Sequence, residues 1–576
     1  MTNTSLGVRL HNFIHILIVV LCCTADLAAQ SWLPPSPYPS WGASAPATIF
    51  TIAYDPALPP VANGALLHQA INNLGPGQGL AIGPGTWSVP NRLDLSGVGT
   101  PQAPYWLFAA IPSERPVITR PNANQNTVNI GSNGPARYWV LRDLELTGGS
   151  DLLKLYDCAH VWIDGCYLHD GGGVGIAANV VDTEHLYLTR NEITRPGPGT
   201  TGEGMYLGAN YGSVAMSWSV IAHNHVHDTR GAVPGQGDGI ELKQGSHHNW
   251  VLGNFVHGCQ NPCILVYGTG GNGQNVVEGN ACCDSDDVVL QVQGEAIVRN
   301  NIAVGGAIGF SSHDHQGQSV DLQFVHNTIV NQGRATSMSA WDGRAGMVFA
   351  NNVVYSLTAE SIRFGNGSTG VQMAGNIVLG SVQGASGGFA MGSGLQDFED
   401  VTVTTFHLDA RPMLAGAIDN RGSLSYAVDK DLAGTVRSLP IDPGALTNHV
   451  ALSSPTAAIP LATGGHQDLT FEAPSLAGAL YLVLGSMSGT TQGLPLGGFT
   501  LPLDYDVWTV ATTQTPNFGV LQNTLGFVGP TGHATATLVA PPLPAELHGL
   551  VFHHALVAVQ QSSVAFVSNP VSVILQ

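Results

Sequence analysis

At 576 residues the chain is too long for one ordinary globular domain, so two or more units are expected. A formal net charge of −20 argues against general nucleic-acid binding, which needs basic surface, yet leaves room for a local basic spot facing an anionic substrate. Charged residues are only 10% of the chain, Gly numbers 72, and lysine occurs only at Lys154, Lys243 and Lys430, a composition that suits an extracellular β-protein in which every lysine invites a question about its purpose.

Residues 1–30 read as a secretory signal peptide. A polar start carrying Arg9 and His11 precedes the apolar run 13–23, and the small residues Ala25, Ala28 and Ala29 place cleavage near Ala29 or Gln30. That run is too short to span a bilayer, and no later one is long enough, so the mature chain is expected to be secreted or at the cell surface, without an integral membrane segment. Residues 31–60 follow as a linker. Six cysteines lie beyond the signal: Cys158, Cys166, Cys259, Cys263, Cys282 and Cys283. On one extended strand Cys158 and Cys166 stand about 26 Å apart, beyond bridging reach. The later four are the better disulfide candidates, Cys259 with Cys283 foremost, as neighbours on successive turns.

Through the middle of the chain the pattern apolar, x, Asn, x, apolar recurs. It reads LTRNEI at Asn191, IAHNHV at Asn224, VLGNFV at Asn254, VEGNAC at Asn280, IVRNNI at Asn300, FVHNTI at Asn327, FANNVV at Asn351 and MAGNIV at Asn376. WIDGCYL extends the series backwards and puts Cys166 in the asparagine place. The spacing, roughly 20 to 33 residues, is that of one turn of a β-solenoid. Apolar residues around each asparagine alternate with period two, as in half-buried strands. Stacked turns would let each buried asparagine bond the one above and the one below, since its amide both donates and accepts.

The opening segment LLHQAINNLGPGQGLAIGPGTWSVPNRLDLSGVGTPQAPY (66–105) resembles the start of right-handed parallel β-helix proteins, in which a short helix, here 66–74, caps the open end of the coil. VDKDLAGTVRSLPIDPGAL (428–446) resembles their closing segment. The resemblance implies an all-β fold, a right-handed parallel β-helix over residues 61–447. After Arg437 no Lys or Arg remains, and ALYLVLG (479–485), ATATLVA (534–540) and LVFHHALVAV (550–559) read as strands of an antiparallel β-sandwich over 448–576. This unit looks like a C-terminal module of exported bacterial proteins, where attachment to the cell envelope, sorting or sugar binding are its candidate roles.

Registering the coil strands by inward pairs gives Leu153/Leu155, Met205/Leu207, Ile240/Leu242, Ile264/Val266, Val288/Leu290 and Ile308/Phe310. Outward residues then include Tyr206, Glu241, Lys243, Tyr267, Gln291 and Ser311. Asp151, Glu203, Asp238 and Asp286 stand at strand entrances, with Asp287 beside the last. Glu203 and Asp238, on neighbouring coils, make a hard-cation site of the kind Ca²⁺ takes. Lys243 beside Glu241 becomes a general base if its pKa is lowered. Together these groups suit β-elimination on an acidic, uronic-acid polysaccharide, with Tyr206, Tyr267, Asp286 and Asp287 as substrate contacts.

GQGDGIELKQGSHHN (235–249) resembles the same stretch of pectate and alginate lyases, which implies a metal ligand at Asp238 and a strand lysine at Lys243. Two features of those enzymes are missing. The paired aspartates one coil later are replaced by Asn261-Pro262-Cys263, and the arginine one coil later by Val266 or Tyr267. Other readings stay open. Glu241 and Lys243 could form a solvated ion pair of small energetic effect. DSDDVVLQ (284–291) resembles the aspartates of polygalacturonase-type inverting hydrolases, without their Arg-x-Lys motif. A non-catalytic carbohydrate-binding surface protein is the third class. His169, His227 and His257 share one place in the repeat, and His313-Asp314-His315 clusters locally; both are read as scaffolding.

Overall fold

Short alternating segments that return every few tens of residues to lie parallel to themselves cannot be joined by hairpins, so the chain must wind as a coil. The computed structural model describes residues 36–43, 45–197, 199, 201–403, 408–413, 416–437, 440–448, 451–473, 476–490, 493–496, 499–560 and 563–576. The signal-peptide stretch 1–30 lies outside the described residues.

Each turn gives one strand to each of three parallel sheets. The first sheet runs from Thr48–Ile52 to Gln372–Ala374, the second from Thr86–Ser88 to Phe389–Met391, and the third from Leu93–Leu95 to Thr336–Met338. The fold is a right-handed parallel β-helix, the hand that parallel crossovers take almost without exception. Its interior is a stack of apolar columns. In the second sheet Leu168, Ile193, Val226, Val256, Cys282 and Ala303 fall in register on successive turns, and all are at most 1% exposed.

Beside that column runs the asparagine ladder. Each side chain accepts from the backbone N–H and the amide of the asparagine before it and donates to the next. The links Asn191–Asn224, Asn224–Asn254, Asn254–Asn280 and Asn280–Asn301 span 2.8–3.0 Å, and the column continues through Asn327 and Asn352 to Asn376. Cys166 heads it, its N–H donating to Asn191 Oδ1. In two turns the expected residue is one place off. Asn301 and Asn352 fill the column, whereas Asn300 and Asn351 sit at φ +55 and +52 in the bend before it. Asn tolerates that left-handed conformation, so in an Asn-Asn pair the first residue makes the bend and the second enters the ladder. A shorter ladder joins Ser219, Asn249 and Asn275 between the third and first sheets.

The capping helix spans Pro60–Asn72 and starts earlier than expected, because Pro60 at its first position lacks only an N–H that would be unpaired there anyway. Leu67 and Ile71 bury against the first turn. Strand Thr48–Ile52, in the stretch read as linker, already pairs in parallel with Gln78–Ile82. Segment 428–446 lies along the side of the coil and not over its last turn: Arg437 is buried and donates to Asn300 Oδ1 and to the Asp442 and Gly444 carbonyls, and Ala445 N donates to Thr328 Oγ1. Phe398, Val401, Ala445 and Leu446 cover the outer face of the second sheet.

The C-terminal part forms a four-stranded and a six-stranded sheet, built mainly of antiparallel pairs. The three expected segments become Leu480–Ser486, His533–Ala540 and Val551–Gln560. An unexpected helix, Val507–Gln514, is capped by Asp506, which accepts from Trp508 N at 2.8 Å and Thr509 N at 3.0 Å. Among the described residues no helix is long and apolar enough to cross a membrane.

All six cysteines are free and buried. The favoured pair does not form, because Cys259 registers with Ser285 while Cys283 registers with His257. Gly258, at φ +64, turns Cys259 into the coil core, whereas Cys283 belongs to the apolar cluster over the second sheet.

Candidate functional site

The third sheet carries the site. Its strands Met205–Leu207, Ile240–Leu242 and Ile264–Val266 pair in the expected frame, so Tyr206, Glu241 and Leu265 form one outward column and Lys243 is followed by Tyr267 in the next. Two departures occur. A turn at Ile176–Ala178 stands between Lys154 and Tyr206, and Ile264/Val266 is continued by Leu290/Val292 and not by Val288/Leu290. That slip is two residues, which preserves the face, so Gln291 and Ser311 still point outward.

At the strand entrances the register places Glu203 directly beside Asp238, one coil apart. Each acid precedes a glycine for a steric reason. A Cβ on Gly204 would lie 2.5 Å from Gly239 O and 2.4 Å from Val226 Cγ1, and a Cβ on Gly239 would lie 2.4 Å from both Cys263 O and Val256 Cγ1. Close stacking at the entrance therefore fixes the Glu-Gly and Asp-Gly pairs and with them the position of the two carboxylates.

Glu241 joins them. One oxygen from each of Glu203, Asp238 and Glu241 lies within 4.8 Å of the others, and all three residues are at most 3% exposed. Glu203 Oε2, Asp238 Oδ1 and Glu241 Oε2 are buried without a hydrogen-bond partner. Three crowded carboxylates in low dielectric resist ionisation. Burial, with Glu241 and Glu203 adding repulsion, raises Asp238 well above the usual carboxylate range. Burial pushes Glu241 up to about 7 although Lys243 opposes it, and burial raises Glu203 as well. Oxygens so placed lack what a hard cation supplies, and the donor set, all carboxylate, fits Ca²⁺.

Lys243 Nζ makes a short ion pair with Glu241 Oε1, both side chains nearly inaccessible, so the pair is buried and the solvated alternative is excluded. The ammonium lies 4.4 Å from the Tyr206 ring centroid and 5.3 Å from that of Tyr267. Burial works to lower its pKa, but the Glu241 carboxylate outweighs burial and the net direction is upward. The expected lowering is therefore not found. Lys243 stands as a fixed cation.

These residues floor a groove of about 870 Å³ whose walls include Asn261, Pro262, Leu265, Gln291, His313 and His315. Asp286 and Asp287 line it too, away from the carboxylate trio. Asp286 is exposed and paired with Arg230, and burial raises Asp287. Sequence reading assigned no role to His313 and His315. Burial lowers His313, and the His315 ring stands edge-on to Tyr267 at 5.3 Å. His315 gets there because its loop folds back, Gln316 Oε1 accepting from Tyr211 N at 2.8 Å. The only sequence signal was the His-Asp-His run just past the groove column.

The coil, the asparagine ladder and the outward groove define a right-handed parallel β-helix protein. Residues 139–282 match the family model described as "Right handed beta helix region". No curated protein matches the sequence. Among solved structures, the chain is similar in fold to an alginate lyase from Paenibacillus sp. str. FPU-7 (17% identity, 60% of this chain and 98% of that one, TM-score 0.30). It is also similar to a mutant of the PL6 family alginate lyase AlyGC (13% identity, 72% and 61%, TM-score 0.41) and to a mutant of the periplasmic alginate epimerase AlgG (12% identity, 56% and 82%, TM-score 0.23).

Proposed function

We propose that the protein is an exported lyase that cleaves an acidic, uronic-acid polysaccharide by β-elimination, with Ca²⁺ held by Glu203, Asp238 and Glu241. The observation that carries this reading is the set of three partnerless carboxylate oxygens beside a fixed ammonium on the floor of the groove. When bound, Ca²⁺ neutralises the uronate carboxylate and makes the proton alpha to it more acidic.

Lys243 keeps a positive charge at the same place and steadies the negative charge that develops on the carboxylate. It is not assigned proton abstraction, because its bond to Glu241 holds it charged. His313, kept neutral by its surroundings, is the base in this scheme, and Tyr267, kept protonated by burial and by Glu241, is the acid. The C5–H proton goes to the imidazole, a C4–C5 double bond forms, the C4–O bond breaks, and the departing oxygen takes the phenol proton. Tyr206 holds Lys243 from below, and Asp286 and Asp287 contact the polymer further along. The C-terminal sandwich is read as the module that keeps the enzyme at the cell envelope.

The test is an absorbance screen on pectate, alginate and glycosaminoglycans with and without Ca²⁺. A lyase gives a rising near-ultraviolet band that chelator abolishes. Reducing ends without that band would replace this reading with a hydrolase, and retention of polymer at unchanged length would replace it with a binding protein.

A further inference from the structure

A second cluster lies on another face of the coil. Strand His225–His227 and strand Phe255–Cys259 are neighbours in the second sheet, with His227 in register with His257. Val226 and Val256 point inward, so His225, His227 and His257 share the outer face. One ring nitrogen from each lies within 4.8 Å of the other two. His225 Nε2 stands 2.9 Å from His257 Nε2, and the His225 and His227 rings stack at 4.3 Å.

We infer that His225, His227 and His257, with Glu192, form a binding site for a borderline divalent metal ion, of which Zn²⁺ is the type, pinning three successive coils together. Three features support it. His227 Nε2 is a buried atom with no hydrogen-bond partner, while its Nδ1 lies 2.8 Å from Asp228 Oδ2. That carboxylate fixes the ring with Nε2 free to bind a metal, the outer-shell arrangement common to metal-bound histidines. Glu192 Oε1, on the preceding coil, stands 3.6 Å from the same Nε2 and supplies a fourth donor. Zn–N bonds of about 2.0–2.1 Å in a tetrahedral site put ligand nitrogens roughly 3.3 Å apart, within the spread seen here. The place in the repeat that holds His227 and His257 is Thr194 on the coil before and Cys283 on the coil after, and His225 adds the third ring.

The experiment is calorimetric titration of the untagged full-length protein with Zn²⁺ in the presence of excess Ca²⁺, with Co²⁺ spectra as a second readout. The expected result is one Zn²⁺ per chain at a Kd below about 1 μM, with intense tetrahedral Co²⁺ bands in the visible. The double variant His225→Ala/His257→Ala loses both signals, and Asp228→Asn weakens binding at least tenfold, the lower end for an outer-shell partner. All these side chains lie on the outside of the coil, so metal-free melting of each variant should match wild type and show that the fold is kept. Absence of stoichiometric Zn²⁺ binding, or its survival unchanged in the double variant, overturns the inference.

Discussion

Removing one rung of the asparagine ladder tests the coil itself. The Asn254 amide donates to Ile221 O at 3.0 Å and Asn280 Oδ1 at 2.9 Å, and its oxygen accepts from Asn224 N and Asn224 Nδ2, both at 2.9 Å. In Asn254→Ala three of these neighbours keep another partner. Asn224 Nδ2 still donates to Leu188 O, and Asn280 Oδ1 still accepts from Asn254 N. The Ile221 carbonyl stays in the ladder with the next strand, so the Asn224 N–H alone loses its partner, in a place water does not reach. At roughly 1–3 kcal/mol for a buried group left unsatisfied, the loss should be about 2 kcal/mol. Asn272→Ala is the control. That side chain donates once, to Thr269 O at 2.9 Å, and the residue is exposed, so the change should cost under about 1 kcal/mol. Urea unfolding followed by circular dichroism reads both. If Asn254→Ala costs no more than the control, the ladder does not hold the coils and the argument built on it falls.

Three further outcomes follow from the site and the sandwich. Lys243→Met strands the Glu241 carboxylate in the interior and should destabilise the protein by about 3–5 kcal/mol, most of it restored by adding Glu241→Leu; urea midpoints of the single and double variants decide. Asp238→Asn should weaken Ca²⁺ binding more than tenfold in calorimetry while leaving chelator-treated protein at least as stable, because one member of a crowded acidic trio is gone. In the sandwich, burial lowers fully enclosed His554 from 6.5 to about 4. The unfolded chain therefore binds the extra proton first as pH falls, so its stabilising contribution is complete above pH 6.5 and shrinks toward pH 4, a change of roughly 3 kcal/mol at about 1.4 per pKa unit. His554→Leu should flatten that stretch of the melting-temperature profile.

The coil was legible because its two strongest signals, period-two burial and a recurrent asparagine, each have one structural meaning. Where two residues could serve equally the reading slipped. Asn300-Asn301 and Asn351-Asn352 offer two asparagines for one column and one bend, and only backbone geometry assigns them. The run Val288-Val289-Leu290-Gln291-Val292 is apolar enough to fit either frame. Ile176–Ala178 was passed over because alanine carries little hydrophobic signal. Glu203 and Asp238 were found by register, since coil stacking turns sequence spacing into proximity. The burial of Glu241 and Lys243 depends on walls supplied by Tyr206 from one neighbouring coil and by Pro262 and Tyr267 from the other, and the approach of His315 depends on a loop crossing the stack. Neither is a property of any local segment.

The free thiols turn the molecule into a depth gauge. Cys158, Cys166 and Cys283 are each pushed up to about 12 by burial, so none reacts while its turn stays closed. Cys158 and Cys166 mark one height on the column, and Cys259, Cys263, Cys282 and Cys283 mark another three to four turns further on. The order in which an alkylating reagent reaches these two groups under mild denaturant thus reads out from which end the spiral unzips.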